Sequence, residues 1–176
     1  MTSDEWYTPP WVFDPLSKIF GFDLDVCATA ESAKCQRYFE PILRDGLSNE
    51  WDGPWLCNPP YSNIAPWVKR ALNSAADGHP GVMLLPAWTD RAWWHAFVEP
   101  RRDRDVADFD IRIESVFTRR IQFGYPGNPT ADPSKFKTDG ITGPRIYPVF
   151  LSFIPPDRRD LDGLIRRFEP DWPRSS

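Results

Sequence analysis

An α/β open sheet is the fold this sequence predicts, and three observations carry the prediction. Residues 81–87, "GVMLLPA", form a continuous apolar run of the kind that fills a central parallel strand. Just before it, residues 65–78 repeat apolar positions at helical spacing and close on Gly78. Two further apolar segments, 22–28 and 55–57, are followed by helical or turn-rich sequence, and alternation of this kind builds a sheet covered by helices.

The elements follow in order. Residues 10–20, "PWVFDPLSKIF", predict a short helix: Trp11 or Val12 shares a face with Leu16, Ile19 and Phe20. Pro10 suits its first turn and Gly21 its stop. "FDLDVCA" (22–28) is a strand ending near Asp25, and "ESAKCQRYF" (31–39) reads equally as a turn or a short helix. "WLC" (55–57) is a short buried strand before Asn58. Residues 91–100 look helical, 106–117 alternate toward strand, 145–155 form the last strand, and 157–168 close the chain as a helix. Ligands of open α/β sheets gather at the carboxyl ends of strands, and Asp25 and Asn58 both fall there.

At 176 residues the chain suits one domain, with 41% hydrophobic residues for a core and twenty prolines that favour short elements and many loops. No apolar run approaches a membrane span, and the first residues lack a signal-peptide pattern, so a soluble cytoplasmic protein is expected. Three cysteines, Cys27, Cys35 and Cys57, and two histidines without paired spacing predict no zinc site, no other metal and no disulfide framework. Net charge is −4, unevenly placed: residues 1–60 carry a balance of −6 and residues 118–145 a balance of +3. A basic, Gly/Pro-rich segment on an acidic body presents a local positive surface to phosphates.

The segment "PWLCNPPYSN" (54–63) holds the chemistry. Proline fixes its own φ and pushes the preceding residue into extended geometry, so Asn58-Pro59-Pro60 is a rigid elbow. The Asn58 side-chain oxygen and the Pro59 carbonyl are two acceptors at fixed spacing, suited to a planar –NH2 group. An aromatic amine is a poor nucleophile because its lone pair is delocalised. Two hydrogen bonds directed out of the ring plane favour a tetrahedral nitrogen with an exposed lone pair, which is preorganised electrostatic catalysis. Tyr61 offers a face on which a planar base stacks. The elbow alone does not choose among adenine N6, cytosine N4, an RNA adenine and a protein glutamine amide.

The sequence resembles the Dam-like DNA N6-adenine methyltransferases of phages and prophages. Matching segments occur in family order: "EWYTPPWVFDPL" (5–16), "FDLDVCATAESAKCQRYF" (22–39), "DGLSNEW" (45–51), "WLCNPPYSN" (55–63), "VMLLPAWTDRAWWH" (82–95) and "RRIQFG" (119–124). The resemblance implies a compact, shortened Rossmann-like methyltransferase sheet, S-adenosylmethionine as methyl donor, and an adenine flipped out of double-stranded DNA. By the same resemblance, Asn58, Pro59, Pro60 and Tyr61 form the catalytic motif. Trp6, Thr8 and Pro9 match the segment that closes over the donor, Asp25 with Cys27 and Ala28 the end of the first strand in the donor pocket, and Asp45 a loop acid near the donor's adenine. One methyltransferase domain over 1–176 is expected, with donor and catalytic motifs in 5–63 and a small DNA-facing loop insertion at 118–145. Arg91, Arg119, Arg120, Lys135 and Lys137 are the expected phosphate contacts, with Gln122 or Asn128 reading a base edge.

The sequence departs from the pattern in two ways. "DVCATAES" holds no glycine, so no glycine turn cradles the donor. Too few residues separate "CAT" from "DGL" for a helix, strand and helix, which leaves the ribose-binding acid open between Glu31 and Glu40. The absent glycine loop supports a rival reading, a non-catalytic DNA-binding accessory protein.

Overall fold

A computed structural model describes residues 6–40, 45–132 and 145–173. Its centre is a six-stranded sheet built from β1 (Leu24–Asp25), β2 (Arg37–Tyr38), β3 (Trp55–Cys57), β4 (Gly81–Pro86), β5 (Arg112–Phe117) and β8 (Pro148–Ile154). They lie in the order β2-β1-β3-β4-β8-β5. The pairs β2/β1, β1/β3 and β3/β4 are parallel, and β8 runs against both β4 and β5. Two short strands, β6 (Ile121–Gln122) and β7 (Arg145–Ile146), prolong the β5–β8 pair past the carboxyl end of β4.

Alternation along the strands divides the core in two. Cys57, Met83, Leu85, Ile113, Leu151 and Phe153 face helix α2 (Ala65–Ala76), which contributes Trp67, Val68, Ala71 and Ala75. Leu56, Val82, Leu84 and Phe150 face helix α1 (Pro10–Phe20) and the C-terminal turns, with Val12, Leu16, Ile165 and Phe168. Both faces are apolar, so β4 and β8 are buried at every position.

Helix α1 starts and stops as its sequence predicts. Gly21 adopts φ 62° and ψ 51°, and its N–H donates to the Ser17 carbonyl at 2.8 Å. Pro15, inside the helix, cannot donate to the carbonyl of Trp11. That carbonyl accepts the Asp171 N–H at 2.8 Å instead, so the C-terminal segment satisfies the group that proline orphans.

Three expectations need correction. Residues 37–38 are a strand, β2, paired in parallel with β1, so a second strand exists where the sequence left little room. The expected last strand at 145–155 is two strands, β7 and β8, separated at Tyr147. The closing helix is two short 3-10 turns, Arg159–Leu161 and Leu164–Arg167. Gly163 between them has φ 77°, and its N–H is held at 2.7 Å by the buried Glu114 carboxylate, a tertiary bond that outweighs local helical preference. The predicted helix at 91–100 contains a five-residue π turn, Trp94–Val98.

Candidate active site at the carboxyl edge

From β1 the sheet extends one way to β2, and from β3 the other way to β4, so strand order reverses between β1 and β3. A crevice opens beyond the carboxyl ends of strands at such a reversal. Asp25 ends β1 and Asn58 follows β3, so both lie on its rim.

The Asn58 side chain is oriented by groups distant in sequence. Its Nδ2 donates to the Trp6 carbonyl at 2.9 Å and to Thr8 Oγ1 at 3.1 Å. Its Oδ1 accepts the Tyr61 hydroxyl at 2.8 Å. Burial pushes the Tyr61 phenol well above its ordinary pKa, so the group stays a neutral donor. The Tyr61 ring meets Trp88 and Phe123 edge-on, both with ring centres 6.4 Å away. Pro59 is buried and Pro60 half-buried. Segment 6–9 is seated by a reciprocal backbone pair: the Tyr7 N–H donates to Gly124 O at 3.0 Å and the Gly124 N–H to Tyr7 O at 2.9 Å. Thr8 and Pro9 are buried there.

Asp25 lies inside the protein and holds the turn beyond β1. Its carboxylate accepts the backbone N–H of Lys34 at 3.1 Å and of Cys27 at 3.4 Å. Burial raises its pKa to about 7, partly offset by those two N–H groups and by the Lys34 charge. Ala28 is buried and Cys27 half-buried in the same turn. Asp45 folds its own loop, accepting the Leu47 N–H at 3.0 Å and the Ser48 hydroxyl at 3.3 Å, and it stays exposed. Gly46 presses that loop onto the β1 turn: a Cβ there would meet the Val26 carbonyl at 2.1 Å, so only glycine permits the approach. β2 ends at Tyr38 and brings Glu40 near the edge, half-buried and with no hydrogen bond or ion pair among the described residues. Neither Cys57 nor Cys35 is an activated nucleophile. Cys57 is fully buried with its pKa well raised by burial, and Cys35 is pushed up to about 12 by burial and by the charges of Asp25 and Asp23.

The basic residues separate by surroundings. Arg91 lies over the Trp88 ring at 5.5 Å, Arg120 over Tyr147 at 4.6 Å and Arg119 over Trp172 at 4.1 Å. Arg119 and Arg120 have no acidic partner among the described residues, whereas Arg91 stands 4.0 Å from Asp90. Lys135 and Lys137 lie outside the described residues. Asn128 cannot read a base edge: it is fully buried, its Nδ2 donating to Asp132 O and its Oδ1 accepting the Asp132 N–H.

Sequence reasoning missed an aromatic ridge along the same edge. Trp88, Phe117 and Tyr147 are 39%, 49% and 58% exposed, three of the four exposed large hydrophobic residues described. They are neighbours by strand pairing: the Ala87 N–H donates to Tyr147 O at 2.9 Å, and Phe117 stands opposite Val149. Among the described residues, no three metal-ligating side chains gather, and no helix is long and apolar enough to cross a membrane.

Comparison with known proteins adds an independent finding. Residues 1–135 match the family model for "DNA N-6-adenine-methyltransferase (Dam)". A DNA N-6-adenine-methyltransferase of Haemophilus phage HP1 is 35% identical over 105 residues, covering 57% of this chain and 60% of that protein. One from Escherichia phage T1 is 33% identical over 123 residues, covering 67% of this chain and 48% of the relative. The matched chain thus spans about half to three fifths of these curated relatives. With a match over most of its length, and an Asn-Pro-Pro-Tyr elbow at the sheet's reversal point, the chain belongs to the DNA N-6-adenine-methyltransferase (Dam) family.

Proposed function

We propose that this chain transfers a methyl group from S-adenosylmethionine to N6 of adenine in double-stranded DNA, acting as a single Rossmann-like methyltransferase domain in the cytoplasm where that DNA lies. The observation that carries the reading is Asn58 at the strand-order reversal, with its amide nitrogen tied to segment 6–8 and its oxygen turned to an aromatic wall. The parallel strands β2-β1-β3-β4, with their reversal between β1 and β3, support the fold assignment.

The residues of the crevice suit the methyl donor. Asp25 anchors the turn 26–34 in place of a glycine loop, and Gly46 brings the Asp45 loop against it. The Glu40 carboxylate beside β2 suits a ribose diol, and Trp6, Pro9, Cys27 and Ala28 complete the lining, with Thr8 buried behind them on Asn58. Bound there, S-adenosylmethionine supplies an electron-poor methyl carbon.

The chain's own residues do the rest. Asn58 Oδ1 has two lone pairs: Tyr61 holds one, and the other, with the Pro59 carbonyl, accepts the two N–H groups of the amine. Those bonds favour a tetrahedral nitrogen whose lone pair faces the methyl carbon. The methylated nitrogen is acidic and releases its proton to water, so no basic side chain is required. Tyr61 stacks on the extruded base, with Trp88 and Phe123 at its edges. Extrusion costs a few kcal/mol, which stacking offsets by about 1–3 kcal/mol per base. Arg91, Arg119 and Arg120, with Lys135 and Lys137 of segment 118–145, hold the phosphates.

Plasmid incubated with the protein and labelled S-adenosylmethionine, digested to nucleosides and resolved by mass, tests the reading. N6-methyladenine is the expected product. N4-methylcytosine alone, or DNA binding without any transfer, would overturn it.

A further inference from the structure

The hydrogen bonds around Asn58 carry information beyond its role as an acceptor. Trp6 offers a backbone carbonyl, which only accepts, so the amide nitrogen and not the oxygen must face segment 6–8. The second hydrogen of that nitrogen goes to Thr8 Oγ1. With both hydrogens engaged, Oδ1 has one remaining direction, toward Tyr61 and the aromatic wall. Thr8 itself is 4% exposed, so water does not replace its hydroxyl as a partner.

We infer that Thr8, with the Trp6 carbonyl, is a positioning element that fixes the Asn58 amide with its oxygen toward the substrate. The inference rests on the proposed function and adds a requirement to it. The elbow needs an amide, not merely an oxygen, at position 58. A carboxylate there sets an anionic oxygen against the Trp6 carbonyl, which has no hydrogen to give, and is driven from the productive orientation. The clamp is therefore assembled only when segment 6–9 is seated, and the Tyr7–Gly124 backbone pair seats it.

Thr8→Val keeps the shape and removes the hydroxyl; Thr8→Ser keeps the hydroxyl and removes a methyl group. For Thr8→Val, kcat should fall about tenfold, the size of one lost hydrogen bond at the reacting group. Its KM for DNA and its affinity for S-adenosylhomocysteine, titrated calorimetrically, should change by less than about threefold, and Thr8→Ser should restore kcat. Asn58→Asp should lose activity as fully as Asn58→Ala, though it retains two oxygens. Wild-type kcat in Thr8→Val overturns the inference. So does a kcat loss matched by an equal loss of S-adenosylhomocysteine affinity, which would make Thr8 a donor ligand. An activity-independent reading is the Asn58 side-chain NH2 signal in 15N-resolved NMR. It should be protected from exchange in the wild type and Thr8→Ser, and exchange-labile in Thr8→Val. A wild type that shows this protection but transfers no methyl sinks the proposed function alone; equal protection in all three proteins sinks the inference alone.

Discussion

The two halves of the sheet are built differently. On the side of the proposed site, β1 and β2 are two residues long and β3 is three. On the other side, β4, β5 and β8 run six, six and seven residues. Long strands hold their geometry by ladder bonds. Short ones hardly can, and here side-chain to backbone bonds do the holding: Asp25 to the turn beyond β1, Asn58 to the N-terminal segment, and Trp51 Nε1 to Gly46 O at 2.7 Å. Arg37 at β2 adds ion pairs to Asp23 and Asp52. Leu24, Trp55, Leu56 and Cys57 of the short strands are as deeply buried as the long ones, so burial stabilises both halves, and polar contacts set the geometry of the short-strand half. Substitutions at buried rings and at these polar contacts should therefore fail in different ways.

The largest effect on folding belongs to the long-strand half. Phe153 on β8 is fully buried and packs on Trp55, ring centres 5.6 Å apart. Phe153→Ala should cost about 3–5 kcal/mol, read as a lowered denaturant midpoint. A loss below about 1 kcal/mol would mean that burial does not carry the stability of this half. In the short-strand half, Asn58→Ala should reduce kcat by a hundredfold or more, as the loss of one preorganised group at a reacting centre does, while the denaturant midpoint stays close to wild type. Unfolding of this variant would assign Asn58 to the scaffold.

What was legible in the sequence follows the same division. The "VMLLP" run, the amphipathic residues of α2 and the Pro10–Gly21 limits of α1 are local signals, and each forms the element expected. Asp25 and Asn58 were readable as strand-end residues because polar groups interrupt apolar runs there. β2 was not readable: two residues show no periodicity, and Arg37-Tyr38 becomes a strand through backbone pairing with Leu24-Asp25. The contacts of Asn58 with Trp6 and Thr8 join residues some fifty positions apart, and no short window contains them. The aromatic ridge is equally diffuse, since Trp88, Phe117 and Tyr147 come from the ends of three different strands. Asn128 misled because a polar residue in a Gly/Pro-rich segment looks exposed, whereas its amide staples that loop from inside.

A pH-dependent effect tests Asp25. Its carboxyl titrates near 7 when folded, against an ordinary 3.8, because burial disfavours the charge. Between those values the folded protein keeps a proton that the unfolded chain has released. Stability should therefore fall as pH rises from about 4 to about 7 and level off above, with a slope of up to about 1.4 kcal/mol per pH unit. Asp25→Asn cannot ionise and should lose this contribution to the slope, although its overall stability is lower because one backbone N–H loses its carboxylate oxygen. Thermal melts of both proteins at pH 5, 6, 7 and 8 read the difference. Identical pH profiles would show that Asp25 ionises without penalty and that the turn beyond β1 is held by other groups.

The smallest effect is expected at the ridge. Arg120 rests on Tyr147 at the exposed edge of the long-strand half, with no acidic partner among the described residues, so removing it breaks no ion pair there. If it meets a phosphate, Arg120→Ala should raise KM for DNA a few-fold and leave kcat and melting temperature nearly unchanged. The slope of log K against log salt should also fall by about one, the signature of one lost phosphate contact. Arg120→Lys should restore most of the salt slope, since it keeps the charge and loses only the flat stacking on the ring. An unchanged slope in Arg120→Ala would place the DNA elsewhere on the molecule. Melting several degrees lower would show that the guanidinium supports Tyr147 structurally, and that stability in this half reaches beyond its buried strands to its surface.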